Sequence, residues 1–422
     1  MKVLVVGRGG REHAIIWALR KSEKVTKLYC APGNGGIAEF AECVALNENQ
    51  FQELGEFAQR ERIDLVIIGP DDPLFDGIVD HFESLQIPVF GPRKNAAIIE
   101  GSKVFTKDLL RKYNIPTAAY ETFADYQQAL DYLHQQSIPV VIKADGLAAG
   151  KGVTVAFTMD EAERALHDIM VSKVFGEAGN HVVIEEFLTG QEMSILAFVD
   201  GETVRAMVPS QDHKQVFDGD QGPNTGGMGT YSPVPHIDSA LVEEAIETII
   251  KPTAKAMVAE GRPFRGVLFA GLMMTPNGPK TIEFNARFGD PETQVVLPRL
   301  KTDLLDIFLA VVHGGLADLQ IEWGDEAAVC VIAASGGYPG SFNKGYEITG
   351  LDELEGVYVF HAGTKISEEN GGLLTNGGRV LGVTALGSDI AAARAKAYAE
   401  IAKVQFTGKH SRTDIAAKAL VK

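Results

Sequence analysis

A carboxylate, a carboxamide and a guanidinium occupy alternate positions of one β-prone run, Glu283, Asn285 and Arg287, before the chain turns at Gly289, Asp290 and Pro291. Alternate residues of a strand share a face, so the three side chains can point into one site. Hard oxygens beside a fixed positive charge suit Mg²⁺ and the phosphates it bridges, because Mg²⁺ takes one or two protein oxygens and fills its octahedron with phosphate and water. The spacing predicts a nucleotide-using enzyme. The competing reading is a strand with a polar outer face that ends in a turn, and the rest of the chain decides between them.

Two further segments carry phosphate chemistry. Lys143 and Lys151 stand at the shoulders of a small-residue loop running from Lys143 to Val153. Small residues let backbone N–H groups approach phosphate oxygens, and the lysines add mobile charges. The loop lacks the G-x-x-x-x-G-K-[ST] spacing of a Walker A motif and continues as strand, not helix. The strand Val182 to Leu188, with Glu185 and Phe187, reads as a domain-joining segment that offers an adenine edge, and Glu192 beyond it as the ribose carboxylate. Gly9 and Gly10, flanked by Arg8 and Arg11, make a strand-to-helix turn suited to a phosphate. Glycine is missing where Glu12 stands, so the turn is no dinucleotide fingerprint.

The elements that must position these residues alternate early between strand and helix: Val3 to Val6, a helix from Arg11 to Lys21, then Leu65 to Ile68. That alternation predicts an open, largely parallel α/β sheet with its ligand edge at the strand carboxyl ends. A helix from Lys103 to Tyr113 and a strand from Pro139 to Lys143 open a second unit, and strands return from about Ala327 before an Ala-rich helix at Ile390 to Val404. We expect an N-terminal domain at 1–102, a middle domain at 103–326 with a small lid at about 120–190, and a closing α+β domain at 327–422. Pro209 to Pro233 reads as a long polar loop folded against a ligand, and His213 within it as structural.

Composition fits an ordinary globular protein of 422 residues, 45% of them hydrophobic, with a length that suggests roughly three domains. The net charge of -17 repels nucleic acid and anionic membrane. Three cysteines without C-x-x-C spacing suggest neither a disulfide framework nor a zinc site. The opening apolar run is too short for a signal segment or a membrane span. The expectation is a soluble protein of the reducing cytoplasm.

Together, the Lys-flanked loop, the acid-ended joining strand and the Glu-x-Asn strand resemble the ATP-grasp superfamily. Val6 to Ala14, Lys143 to Val153, Gln211 to Lys214, Gly222 to Gly229 and Glu283 to Gln294 resemble, more narrowly, the phosphoribosylamine–glycine ligase family. The similarity covers essentially the whole chain, and Arg287 to Gln294 is its most specific run. Three departures stand out: Asp71 replaces a usual Glu, Gln215 follows Lys214 where Arg is common, and Phe269 replaces a usual Tyr. Asp71 is one methylene shorter than the residue it replaces, which shortens its reach to a substrate ribose or amine.

The resemblance implies an α/β ATP-grasp fold with an N-terminal open parallel sheet domain and a C-terminal closing α+β domain. It implies ATP and Mg²⁺ (or Mn²⁺) as cofactors and glycine and 5-phosphoribosylamine as substrates, in a monomer or weak dimer. ATP would phosphorylate the glycine carboxylate, and the amine would attack the resulting acyl phosphate. Glu283 and Asn285 would hold the metal; Lys103, Lys143, Lys151, Glu185, Phe187 and Glu192 would hold the nucleotide. Gly9, Gly10, Arg11, Asp71, Asn224, Gly226, Gly227 and Arg287 would meet the substrates, with Arg287, Lys143, Asp212 and Lys214 in the chemistry. Arg287 would clamp either the glycine carboxylate or the developing acyl phosphate. A different ATP-grasp ligase or carboxylase, and a regulator that binds Mg-ATP without turnover, are the rival readings.

Overall fold

Val3 to Val6 are fully buried, as a strand covered on both faces must be. In the computed structural model, which describes residues 1–146 and 152–420, they lie in β1 (Lys2–Gly7). Around it β2 (Lys27–Pro32), β3 (Glu42–Cys43), β4 (Leu65–Ile68) and β5 (Val89–Phe90) complete a parallel sheet of order β3-β2-β1-β4-β5. The order reverses at β1, so a crevice opens beyond the carboxyl ends of β1 and β4. The Gly7 to Gly10 turn and the Gly69-Pro70-Asp71 turn flank that crevice. The helix Gly10–Leu19 that follows is buried almost all round, because the last domain covers its outer side.

The lid is an antiparallel sheet of β6 (Tyr120–Phe123), β7 (Val140–Ala144), β8 (Val153–Ala156) and β9 (Val182–Glu186), in the order β6-β9-β7-β8. Its helices Tyr126–Leu133 and Met159–Met170 bury Ala129, Leu133, Leu166 and Ile169 against Val140, Ile142 and Ile184, a core separate from the rest. Thr158 and Glu161 start the second helix with a reciprocal capping box.

Four antiparallel strands form the central sheet: β10 (Gln191–Asp200), β11 (Thr203–Ala206), and, after the segment described next, β16 (Arg265–Thr275) and β17 (Gly278–Asn285), in the order β11-β10-β16-β17. The intervening stretch departs from the expected irregular loop. It forms β12 (Gln211–Asp212), the hairpin β13 (Gln215–Phe217) and β14 (Gln221–Asn224), and β15 (Gly229–Ser232). These strands are too short for a hydrophobic alternation to show in sequence, and Gly229 is needed because a Cβ there would sit 2.8 Å from the Cys330 carbonyl oxygen.

The last sheet has the order β12-β15-β18-β22-β19, with β18 (Ala327–Ala334), β19 (Tyr358–His361) and β22 (Arg379–Gly387), while β20 (Thr364–Ile366) and β21 (Leu373–Thr375) pair apart. Two of its strands thus come from residues 211–232, so the middle and last portions of the chain share one sheet. The helix Ile390–Ile401 packs Ala393, Ala397 and Ile401 onto it and ends three residues before the expected Val404. No described helix is long and apolar enough to cross a membrane.

Candidate active site

The alternation that placed Glu283, Asn285 and Arg287 on one face is present, with Phe284, Ala286 and Phe288 buried on the other. A bulge at Ile282 resets the register of β17 against β16, pairing Gly271 with Glu283 and Leu272 with Thr281. Arg287 lies just beyond the strand and keeps the phase, its Nη2 donating to Asn285 Oδ1 at 3.5 Å. Glu283 has no ion pair among the described residues. Burial pushes its carboxyl up, yet Lys214, Lys143, Lys103 and Arg287 together hold it below the usual glutamate range. Four cations from four separate segments therefore converge on one ionised carboxylate.

Each cation has its own support. Lys103 opens the helix Lys103–Lys112, whose cap is Ser102 accepting from the Phe105 N–H, and its Nζ donates to the Gly146 carbonyl at 2.9 Å. Burial draws the Lys103 ammonium below its ordinary value, with Glu283 pulling the other way. Lys143 on β7 pairs with Glu185 Oε2 at 2.9 Å and donates to the Ile282 carbonyl at 3.2 Å. Glu185 is itself buried, and its other oxygen lies 3.1 Å from Lys107 Nζ. Lys107 is a member of this cluster that sequence reasoning missed, although its place one turn after Lys103 was the signal. Phe187 is half-buried beside Phe157, and Glu192 is half-exposed, 3.5 Å from Lys214 Nζ. Lys151 and most of its loop lie outside the described residues.

Asp212 and Lys214 meet Glu292, a second residue the sequence reading left out. Burial and then Asp212 push the Glu292 carboxyl up to about 8; burial also raises Asp212, with Lys214 opposing. Glu192, then Asp212 and Glu283, hold the Lys214 ammonium well above its ordinary value against burial. Arg287 is gripped by Glu100 at 3.1 Å and faces Asp71 at 3.7 Å. Glu100 also accepts the Ala286 N–H at 2.7 Å, so it fixes both the guanidinium and the backbone that carries it.

The glycine turn of the first domain is more occupied than its sequence suggests. The Gly9 N–H donates to Glu12 at 2.6 Å and the Arg11 N–H to Asp290 at 3.2 Å, so a protein carboxylate stands at the helix start expected to receive a phosphate. Arg11 donates to Glu12 at 2.7 Å and to the Phe288 carbonyl at 3.1 Å, while Arg8 is exposed and paired with Glu48. Gly10 allows close approach of Gln294, whose Nε2 would lie 2.6 Å from a Cβ. The turn thus docks on the Asp290 to Gln294 segment. Gly226 and Gly227 reach the same place through Arg379, which donates to the Gly226 carbonyl at 2.8 Å and the Asp290 carbonyl at 2.7 Å. Asn224 is exposed at the end of β14. Asp71, Arg11 and Arg287 meet at the crevice, where burial raises the Asp71 carboxyl but Arg287 and Arg11 bring it below its ordinary value.

Three phosphoribosylglycinamide synthetase family models match consecutive stretches: the N domain over residues 1–100, the ATP-grasp (A) domain over 101–293 and the C domain over 328–418. The chain is 53% identical over 417 residues to the phosphoribosylamine–glycine ligase of Caldanaerobacter subterraneus subsp. tengcongensis, covering 99% of this chain and 100% of that one. Against the Salmonella typhimurium enzyme of the same name it is 50% identical over 425 residues, covering 100% and 99%. The crystal structure of the Thermotoga maritima phosphoribosylamine–glycine ligase matches with TM-score 0.87 and 36% identity, over 99% of this chain and 100% of that one. The biotin carboxylase domain of Hydrogenobacter thermophilus 2-oxoglutarate carboxylase, solved with MgADP, shares the fold at TM-score 0.73 and 15% identity, over 97% and 91%.

Proposed function

This chain belongs to the phosphoribosylglycinamide synthetase family, and from that premise we propose that the cluster around Glu283 carries its reaction. The chain is an ATP-dependent ligase that joins glycine to 5-phosphoribosylamine and yields glycinamide ribonucleotide, ADP and phosphate in purine biosynthesis. A carboxylate resists nucleophiles because of its charge, and phosphorylation removes that charge and installs a leaving group. The γ-phosphoryl group passes from ATP to a glycine oxygen; the amine nitrogen then bonds to the acyl carbon, phosphate leaves and the nitrogen loses a proton.

Phosphoryl transfer asks for positioning and charge compensation. The observation that carries the reading is the convergence of Lys103, Lys143, Lys214 and Arg287 on an ionised Glu283. Lys103 and Lys143 face the nucleotide phosphates, with Phe187 and Glu192 towards base and ribose. Glu283 and Asn285 fit a divalent cation, offering hard oxygens on one face with the carboxylate kept charged. Mg²⁺ or Mn²⁺ there would neutralise the oxygens of the transferring phosphoryl group. Arg287, aimed by Glu100, binds the glycine carboxylate. Asp212 accepts the proton lost by the attacking amine, a task suited to a half-buried carboxyl raised from its ordinary value. Asp71 and Arg11, with Gly226 and Gly227, border the crevice that receives the ribosyl phosphate.

The test measures ADP release with glycine alone, with phosphoribosylamine generated in situ, and with both. Glycinamide ribonucleotide should appear only with both. No glycine-derived amide under any condition would defeat the assignment, and turnover with another amine or acid would redirect it to a different ligase.

A further inference from the structure

Glu185 is a buried carboxylate shared by two lysines: Lys107 lies 3.1 Å from one oxygen and Lys143 2.9 Å from the other. A single buried lysine–carboxylate pair is neutral and offers little to an anion. With two ammonium groups on one carboxylate the cluster keeps an uncompensated positive charge in a water-poor place, which favours an anionic partner. Lys107 is held for this arrangement. It is 3% exposed, and its Nζ also donates at 2.7 Å to Thr117 Oγ1, which donates in turn to the Thr281 carbonyl at 2.9 Å. Lys143 donates to the next carbonyl, Ile282. Both lysines are thus tied to the bulge of β17 immediately before Glu283, one through the helix Lys103–Lys112 and one through the lid.

Resting on the reading above, we propose that Lys107 is a positioning residue for nucleotide binding: by sharing Glu185 it stops that carboxylate from fully neutralising Lys143, and so keeps the Lys143 ammonium available to the nucleotide phosphates. Burial lowers the Lys107 ammonium to about 8, with Glu185 opposing, as expected for a cation kept inside for an electrostatic purpose.

The roles separate in a double-variant cycle read as the Kd for MgADP, a measurement independent of which acid and amine are joined. Lys107→Met should weaken MgADP about tenfold in the Kd, while KM for glycine stays within about twofold. In the Glu185→Gln background the same substitution should cost less than about threefold, because the carboxylate that pairs directly with Lys143 is gone. A merely structural Lys107 would give the same loss in both backgrounds. Where Lys107→Met does not fold, Lys107→Gln, which still donates to Thr117, should show the same background-dependent loss. Unchanged MgADP affinity in the single variant, or equal losses in both backgrounds, overturns the proposal. Failure of wild-type ligation with normal MgADP binding would instead overturn the assigned reaction.

Discussion

Glu283 is the residue on which the site turns, because it is the point where cations from the middle helix, the lid, the β12–β15 segment and the β17 extension meet. Glu283→Ala should cut kcat by about a hundredfold or more while leaving the melting midpoint near that of the wild type; near-normal turnover would remove it from the proposed metal site. Glu100 is expected to act through Arg287. Glu100→Gln keeps an acceptor for the Ala286 N–H but leaves the guanidinium, among carboxylates, the 3.7 Å contact with Asp71, so kcat/KM for glycine should fall about tenfold with KM for ATP unchanged. An equal effect on both substrates would place Arg287 elsewhere. That Glu283, Asn285 and Arg287 share one face was legible from spacing alone. The parts of Glu100, Glu292 and Arg379 were not, because each meets partners far away in the chain.

At the scale of elements, the joint between the lid strand β9 and β10 is set by backbone approach. Gly190 has φ +152°, and a Cβ there would lie 2.0 Å from the Met274 carbonyl oxygen, an atom held in β16. Gly190→Ala should therefore cost about 3 kcal/mol in urea unfolding; a loss below about 0.5 kcal/mol would show that the joint yields. Long or strongly patterned elements matched their expected positions closely, as in Leu65–Ile68 and in the helix Lys103–Lys112 with its Ser102 cap. The segment from Gln211 to Ser232 did not, since its strands earn their state from pairing with β18 and have no pattern of their own.

Across the whole molecule, histidines mark the seams. His361 on β19 donates its backbone N–H to His13 Nδ1 of the first domain at 2.8 Å, and His213 Nε2 faces the Ala416 N–H at 3.4 Å. Burial holds both His361 and His213 down at about 4. Between there and the unfolded value near 6.5, the unfolded chain binds protons that the native state excludes, so stability is full above pH 6.5 and is lost as pH falls towards 4. Each histidine accounts for up to roughly 3 kcal/mol of that loss. The urea midpoint should drop between pH 7.5 and 5, and His361→Gln should flatten the slope; an unaltered slope in the variant would locate the sensitivity elsewhere. At the other seam Arg412, 1% exposed, binds Asp414 at 2.7 Å, Asp220 at 3.1 Å and the Gln215 carbonyl at 3.0 Å, clasping the β13–β14 hairpin that separates Lys214 from Gly226. Arg412→Met should lose about 3 kcal/mol, since Asp414 is left without its cation and Asp220 with Lys418 alone, and full stability would show that the hairpin holds without it.

The amino-acid sequence by itself determined the chemistry available: a hard oxygen pair, the lysines and arginine for phosphate, and local patterns strong enough to build the parallel sheet, the lid and β17. Those features depend on residues a few positions apart, where strand and helix periodicity act directly. Only the tertiary structure decided which charges face one another. It put Asp290 at the helix start expected to hold phosphate, divided Glu185 between two lysines and ran one sheet through residues 211–232 and the last domain. Such arrangements arise from pairings between segments up to 279 residues apart, which no local periodicity encodes.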